Sequence, residues 1–149
     1  MLALDRDAAC LEATRGPGIA VMQFDLEDAT LAWPFEPARF AAIVVTNYLH
    51  RPLMDSLLAS LAPGGLLIYE TFAKGNEAHG KPSNPLFLLD PGELLVHAGR
   101  AGLHVVAFED GLVAAPALAR VQRITALRPA VGADSVRLDL PAPGETGQE

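Results

Sequence analysis

Cysteine occurs once, at Cys10, which excludes an internal disulfide and any metal centre built on a group of cysteines. A reducing compartment suits that usage, and the cytoplasm is the expected location. Cations are scarce as well: 11 Lys and Arg against 18 Asp and Glu leave a formal charge of -7. Sequence-independent binding to nucleic acid or to anionic membranes depends on basic patches, so neither partner is expected. No apolar run approaches the ~20 residues of a membrane span, and Asp5, Arg6 and Asp7 stand where a signal peptide would need an apolar stretch. There is no internal repeat. What is present is a chain of 149 residues, 50% hydrophobic, the size of one domain with a core of its own.

The organising stretch runs from Phe40 to Phe72 and reads as a strand, a helix and a second strand. Ala41 to Thr46 is an unbroken small or β-branched run, the composition of a strand buried on both faces. Asn47, Tyr48 and His50 follow where a parallel strand would end. Pro52 opens a helix, with Leu53, Leu57, Leu58 and Leu61 at helical spacing, and Pro63, Gly64 and Gly65 stop it. Gly65 to Tyr69 is the second strand, ending in Glu70 and Thr71. A crossover helix between parallel strands sets both polar ends on one edge of the sheet, where open α/β folds bind ligands.

Elsewhere the same grammar repeats. Leu2 to Leu4 is a short apolar run ending at Asp5, with little before it to pair with. Asp7 is the expected N-cap of a helix over 8–15, and Ile19 to Phe24 forms a strand ending at Asp25. Trp33 and Phe35 sit in a proline-bearing loop, where core packing is preferred over ligand contact. Residues 73–89 are too broken by Gly and Pro for regular structure, and loops of that length are usually functional or disordered. Asp90, Pro91 and Glu93 are the N-cap, first-turn proline and capping-box partner of a helix over 91–101. His104 to Phe108 and Ala117 to Leu127 are strands, the second partly alternating as an antiparallel edge strand would. Residues 1–128 form the domain; from Pro129 a mobile tail is expected, with an extended piece at Val136 to Leu140.

Four landmarks in order, LALD at 2–5, FDLED at 24–28 with WPF at 33–35, FAAIVV at 40–45 and LAPGGLLIYE at 61–70, resemble the class I S-adenosylmethionine-dependent methyltransferases. YLHRP at 48–52 and the Gly75-Asn76-Glu77 loop are similar to a bacterial branch near the tellurite-resistance-type enzymes. The resemblance implies an α/β Rossmann-like fold, mostly parallel, with an antiparallel C-terminal strand. It implies S-adenosylmethionine as cofactor, with Asp5 holding the ribose hydroxyls beside Arg6, Asp25 near the adenine amino group, Leu26 against the ring, and Asn47 beside the methionine part. Solvated acids or caps are the alternative reading of Asp5 and Asp25.

The same family carries a glycine-rich first strand about 20 residues ahead of the position of Asp5, in the middle of its sheet, so an N-terminally truncated fold is expected. A late-started reading frame, a fragment and a remnant without chemistry all fit. Position 41 is also Ala where the family usually has Asp.

Methyl transfer from a sulfonium needs alignment and, for some acceptors, a base. His50 is the base candidate, with a backbone-bonding residue at the start of the helix as its alternative, and Tyr48 shapes the pocket. The loop over 73–89 would cover the acceptor. TNYLH replaces the NPPY-like pattern of enzymes that methylate amino groups in nucleic acids, so a small-molecule acceptor is expected. Two rival signals fail. GNEAHGKP at 75–82 has Pro82 where a P-loop needs Ser or Thr, and His79, His97 and His104 lack metal-ligand spacing. The competing hypothesis is a non-catalytic methyltransferase-fold remnant that acts as a binding or dimerisation module, a homodimer being one way to cover exposed strand edges.

Overall fold

The computed structural model describes residues 1–28 and 30–130; the expected tail beyond residue 130, with the extended piece at Val136 to Leu140, lies outside them. The chain opens on β1 (Leu2–Asp5), α1 (Ala8–Thr14) and β2 (Ala20–Gln23). Asp7 caps α1 as expected, its Oδ1 accepting the Ala9 amide at 2.8 Å and the Cys10 amide at 3.3 Å. β1 does have a partner: it pairs in parallel with β2, from Leu2 opposite Ala20 to Asp5 opposite Gln23.

The larger sheet contains β3 (Phe40–Thr46), β4 (Leu61–Phe72), β5 (His104–Val113) and β6 (Ala119–Leu127) in the order β3-β4-β6-β5. β3 and β4 run parallel, and β6 is antiparallel to both its neighbours. It is therefore not the edge strand its alternation suggested. Its polar residues face partners rather than water: Arg120 donates to Asp110, Arg123 pairs with Glu70 and Glu109, and fully buried Gln122 donates to the Asp90 carbonyl at 2.6 Å. Cross-strand ion pairs imitate the pattern of a wetted face.

The crossover from β3 to β4 is a 3-10 turn (Arg51–Leu53) followed by α2 (Met54–Ala59). α2 buries Met54, Leu57 and Leu58 in a core shared with Leu67, Tyr69 and Ile124. Leu61, expected at the end of the helix, instead opens β4. Phe40 pairs with Leu61 and Ala42 with Leu66, so Ala62 to Gly65 bulge out of the ladder. α3 (Glu93–Arg100) begins two residues later than expected, with Gly92 at its N-cap. Half of the capping box survives: Glu93 Oε2 accepts the Asp90 amide at 2.8 Å, while the Asp90 carboxylate is drawn away to Lys74.

The 73–89 loop is well tied. It contains two 3-10 turns, Asn76–Ala78 and Pro85–Phe87. Buried Asn76 donates to the Pro82 carbonyl at 3.0 Å and accepts the Arg120 amide at 3.0 Å. Arg51 donates to the carbonyls of Leu86 and Leu88, each at 2.9 Å. The glycines and prolines that break helix and strand periodicity leave main-chain groups for side chains to satisfy, and Asn76 and Arg51 do so.

The N-terminal unit is held differently. Among the described residues no hydrogen bond joins 1–31 to 33–130, and Leu11 is the only residue of α1 that is buried. Elements with few buried apolar contacts open at low free-energy cost. Brief proteolysis is expected to cut first between Leu26 and Arg39 and to leave a fragment beginning near Phe40, as mass spectrometry of the digest would show; a first cut inside 73–89 would contradict the account of both segments.

Candidate functional site

Between the N-terminal unit and β3 lies a cleft of about 540 Å³. One wall is Leu2, Leu4, Asp5 and Arg6, the other is Phe40 and Ala42 to Thr46, and Phe24 to Glu27, Trp33, Phe35, Tyr48 and Leu57 complete it. Asp5 and Arg6 end β1, Asp25 and Glu27 follow β2, and Thr46 and Tyr48 end β3. Arg6, Asp25 and Glu27 all act electrostatically on the Tyr48 hydroxyl. The C-terminal ends of β1, β2 and β3 therefore share one rim, and the three strands point the same way. That is the arrangement by which strand ends build sites in open α/β sheets.

The carboxylates of the rim are half engaged. Asp5 Oδ1 accepts the Asp7 amide at 2.8 Å and Asp25 Oδ1 accepts the Glu27 amide at 2.9 Å. These local turns aim the side chains while leaving each Oδ2 without a protein partner among the described residues. Tyr48 is anchored by its carbonyl, which accepts the Tyr69 hydroxyl at 2.8 Å. Its own hydroxyl is buried with no partner, and burial first, then the charges of Glu27 and Asp25, push its pKa up to about 12. Asn47 makes the corner with a left-handed φ of 54°, its amide donating to the Glu70 carbonyl at 2.9 Å; Asn tolerates that conformation better than most residues.

A buried hydroxyl without a partner costs ~1–3 kcal/mol, whereas removing it leaves an apolar ring in an apolar place. Tyr48→Phe is accordingly expected to raise the stability of the free chain by about 1 kcal/mol in urea titrations. A loss of stability would show that the hydroxyl has a partner.

The cleft brings together Asp5, Arg6, Asp25, Leu26 and Tyr48. Asn47 and His50 do not line it. His50 precedes the 3-10 turn after β3, with its backbone extended and no side-chain capping bond. No residue of 73–89 lines it either, so that loop is not the cover of this cleft: Arg51 and Asn76 bind it elsewhere. Glu27 and Thr46 are wall residues that the sequence reading passed over. Glu27 was within reach, two residues beyond Asp25 in an acidic turn. Trp33 packs as expected against the core, its indole N–H donating to Ser60 Oγ at 2.8 Å, and it also forms part of the wall. Among the described residues no group of three His, Cys, Asp or Glu could hold a metal ion.

No family model matches this sequence, and no curated protein matches it. Solved structures do. An S-adenosylmethionine-dependent methyltransferase from Mesorhizobium loti superposes with a TM-score of 0.64 at 17% identity, over 85% of this chain and 80% of its own. The putative methyltransferase of Haloferax volcanii, solved with the Trm112 methyltransferase activator, gives 0.62 at 16% identity, over 86% and 71%. The [4+2]-cyclase SpnF gives 0.60 at 13% identity, over 87% of this chain and 66% of SpnF. Likeness at such low identity speaks to architecture alone, and the architecture agrees with the strand order, the crossover and the rim: the chain has the fold of the class I S-adenosylmethionine-dependent methyltransferases.

Proposed function

We propose that the chain binds S-adenosylmethionine across the rim formed by β1, β2 and β3 and belongs to an enzyme that methylates a small-molecule acceptor. One observation carries the reading: Asp5 ends β1 and Asp25 stands two residues beyond the parallel β2, each with an oxygen left over, on the same rim as Tyr48. The donor set suits the ligand. Asp5 Oδ2 can accept from a vicinal diol, Asp25 Oδ2 from an exocyclic amine, Leu26 offers an apolar surface to a ring, and the Arg6 guanidinium can face a carboxylate. The cofactor supplies a sulfonium-activated methyl group. The residues of this chain bind and orient it: Asn47 sets the corner beside the rim, Tyr48 bounds the acceptor side, and His50, just beyond, is the base for acceptors that must lose a proton.

Calorimetric titration with S-adenosylhomocysteine tests this. Binding is expected, and Asp5→Ala should weaken it about tenfold, the ~1.4 kcal/mol that one charge-assisted hydrogen bond is worth here. Absence of heat at millimolar ligand would sink the reading. The competing reading, a binding module without chemistry, draws on the exposure of β3, where Val44 is 64% exposed; fold alone does not fix activity.

A further inference from the structure

One wall of the cleft is held in a costly position. The Tyr48 hydroxyl is buried and, among the described residues, has no partner. A phenol in that condition gains by turning out to water or to a nearby acceptor. Acceptors are at hand, since the Glu27 and Asp25 carboxylates act on this hydroxyl electrostatically. What keeps the ring in place must therefore lie in its backbone.

The backbone there is pinned from behind. The β3–β4 ladder closes with Thr46 opposite Glu70, and the Asn47 amide adds a last bond to the Glu70 carbonyl before the left-handed turn at Asn47. The Tyr48 carbonyl lies past that turn and accepts the Tyr69 hydroxyl at 2.8 Å. Tyr69 stands opposite Val45 on β4, is 2% exposed, and belongs to the core rather than to the lining of the cleft. Burial pushes its phenol well above the ordinary value, so it stays protonated and remains a donor.

We propose that Tyr69 is a positioning residue of the cleft: by bonding the Tyr48 carbonyl it fixes the corner after β3 and holds the Tyr48 ring in the wall that the ligand meets. The identity of the ligand rests on the cofactor reading above; the hold on the wall rests on geometry. Without the Tyr69 hydroxyl the Tyr48 carbonyl must be satisfied by water, the corner loosens, and the Tyr48 hydroxyl leaves its unpartnered place. Binding then has to order a wall that the native chain orders beforehand, which weakens affinity.

Tyr69→Phe tests this, because it keeps the buried ring and removes the donor. Tyr48 and Tyr69 are the chain's two tyrosines, so every phenol signal of the variant belongs to Tyr48. In the native chain burial, Glu27 and Asp25 push the Tyr48 phenol up to about 12, and Tyr69 is not among the causes. Loss of the Tyr69 hydroxyl shifts that value if Tyr48 itself moves. At about pH 10.5, ultraviolet difference spectra are expected to show almost no phenolate in the native chain and more than about half of Tyr48 ionised in the variant, both folded by circular dichroism. Ile124→Val is the control. Ile124 lies opposite Tyr69 on β6, and its truncation loosens the same core while leaving the hydroxyl in place; its phenols stay protonated. Affinity for S-adenosylhomocysteine, by calorimetry, is expected to fall about tenfold in Tyr69→Phe and less than about twofold in Ile124→Val. A protonated phenol in Tyr69→Phe, equal ionisation in Ile124→Val, or unchanged affinity beside a released phenol would each overturn the proposal. The absorbance needs no ligand, so failure of Tyr69 to hold Tyr48 and failure of the chain to take the cofactor are seen separately.

Discussion

Arg51→Ala is expected to lower stability by about 2–3 kcal/mol at neutral pH, below the ~3–5 kcal/mol of a fully buried broken pair because Arg51 keeps some exposure. The guanidinium makes four bonds: to Glu93 Oε1 at 2.7 Å and Oε2 at 2.8 Å, and to the carbonyls of Leu86 and Leu88. It staples three places in the chain, the turn after β3, the 85–88 turn and the first residue of α3. Glu93 is the more buried partner, its side chain 12% exposed against 35% for Arg51. Burial pushes the Glu93 carboxyl up; the Arg51 hydrogen bonds, the Asp90 amide and the Arg51 charge outweigh that and hold it below the ordinary carboxylate range.

The sign of the pH dependence follows. In the native chain the folded pKa of Glu93 is depressed, so its contribution is complete above the ordinary carboxylate pKa and is lost as pH falls through the lower folded value. Without Arg51 the burial cost remains and its chief compensation is gone, so the carboxyl resists ionisation in the folded state. The gap between the two proteins should therefore be widest near pH 7 and close toward pH 3 in urea titrations. A gap independent of pH would mean that Arg51 acts through the Leu86 and Leu88 carbonyls alone. Hydrogen exchange in 85–88 should quicken in either case.

The contrast between Arg51 and the rim shows what a sequence discloses. β1, β2 and β3 and the acids at their ends were legible because strand termination is local: an apolar run stops and a carboxylate or amide begins. The direction shared by those strands followed from the crossover rule. The Arg51 clamp was not legible. It connects positions 51, 86, 88 and 93, which no periodicity links, and the 73–89 loop therefore looked unstructured. β6 failed for a related reason, since a strand whose Arg and Gln residues find partners on both neighbours reads like one facing water. The start of α3 shifted by two residues because Gly92 takes a left-handed φ of 71°, which a helix interior does not admit. Exposure of β3 is the instructive case: its composition was read as doubly buried, yet Val44 is 64% exposed among the described residues.

The PGG segment shows the same physics inside a motif. Gly64 has φ +76°, the left-handed conformation that disfavours side chains, yet a Cβ there would meet nothing closer than 3.9 Å. Gly65 has no such φ, but a Cβ on it would lie 2.7 Å from the Ala62 carbonyl oxygen and 3.0 Å from two atoms of the Leu61 side chain. Neither neighbour can yield easily. Leu61 is wholly buried in the core, and the segment is fastened on its other side, where the Gly64 amide donates to the Arg128 carbonyl at 2.8 Å and the Arg128 amide to the Gly65 carbonyl at 2.9 Å. Gly64→Ala should cost about 1 kcal/mol, the ordinary penalty of a left-handed alanine, whereas Gly65→Ala should cost about 2–3 kcal/mol, because the bulge must open or Leu61 must leave its place. The order is opposite to the one backbone angles alone would give, and urea unfolding of the two variants decides it. Equal losses, or a larger one at Gly64, would show that the bulge relaxes freely; the predicted order would mean that the second glycine of LAPGGLLIYE is fixed by the width of the turn into β4, the strand whose ladder aligns β3 and thereby the rim.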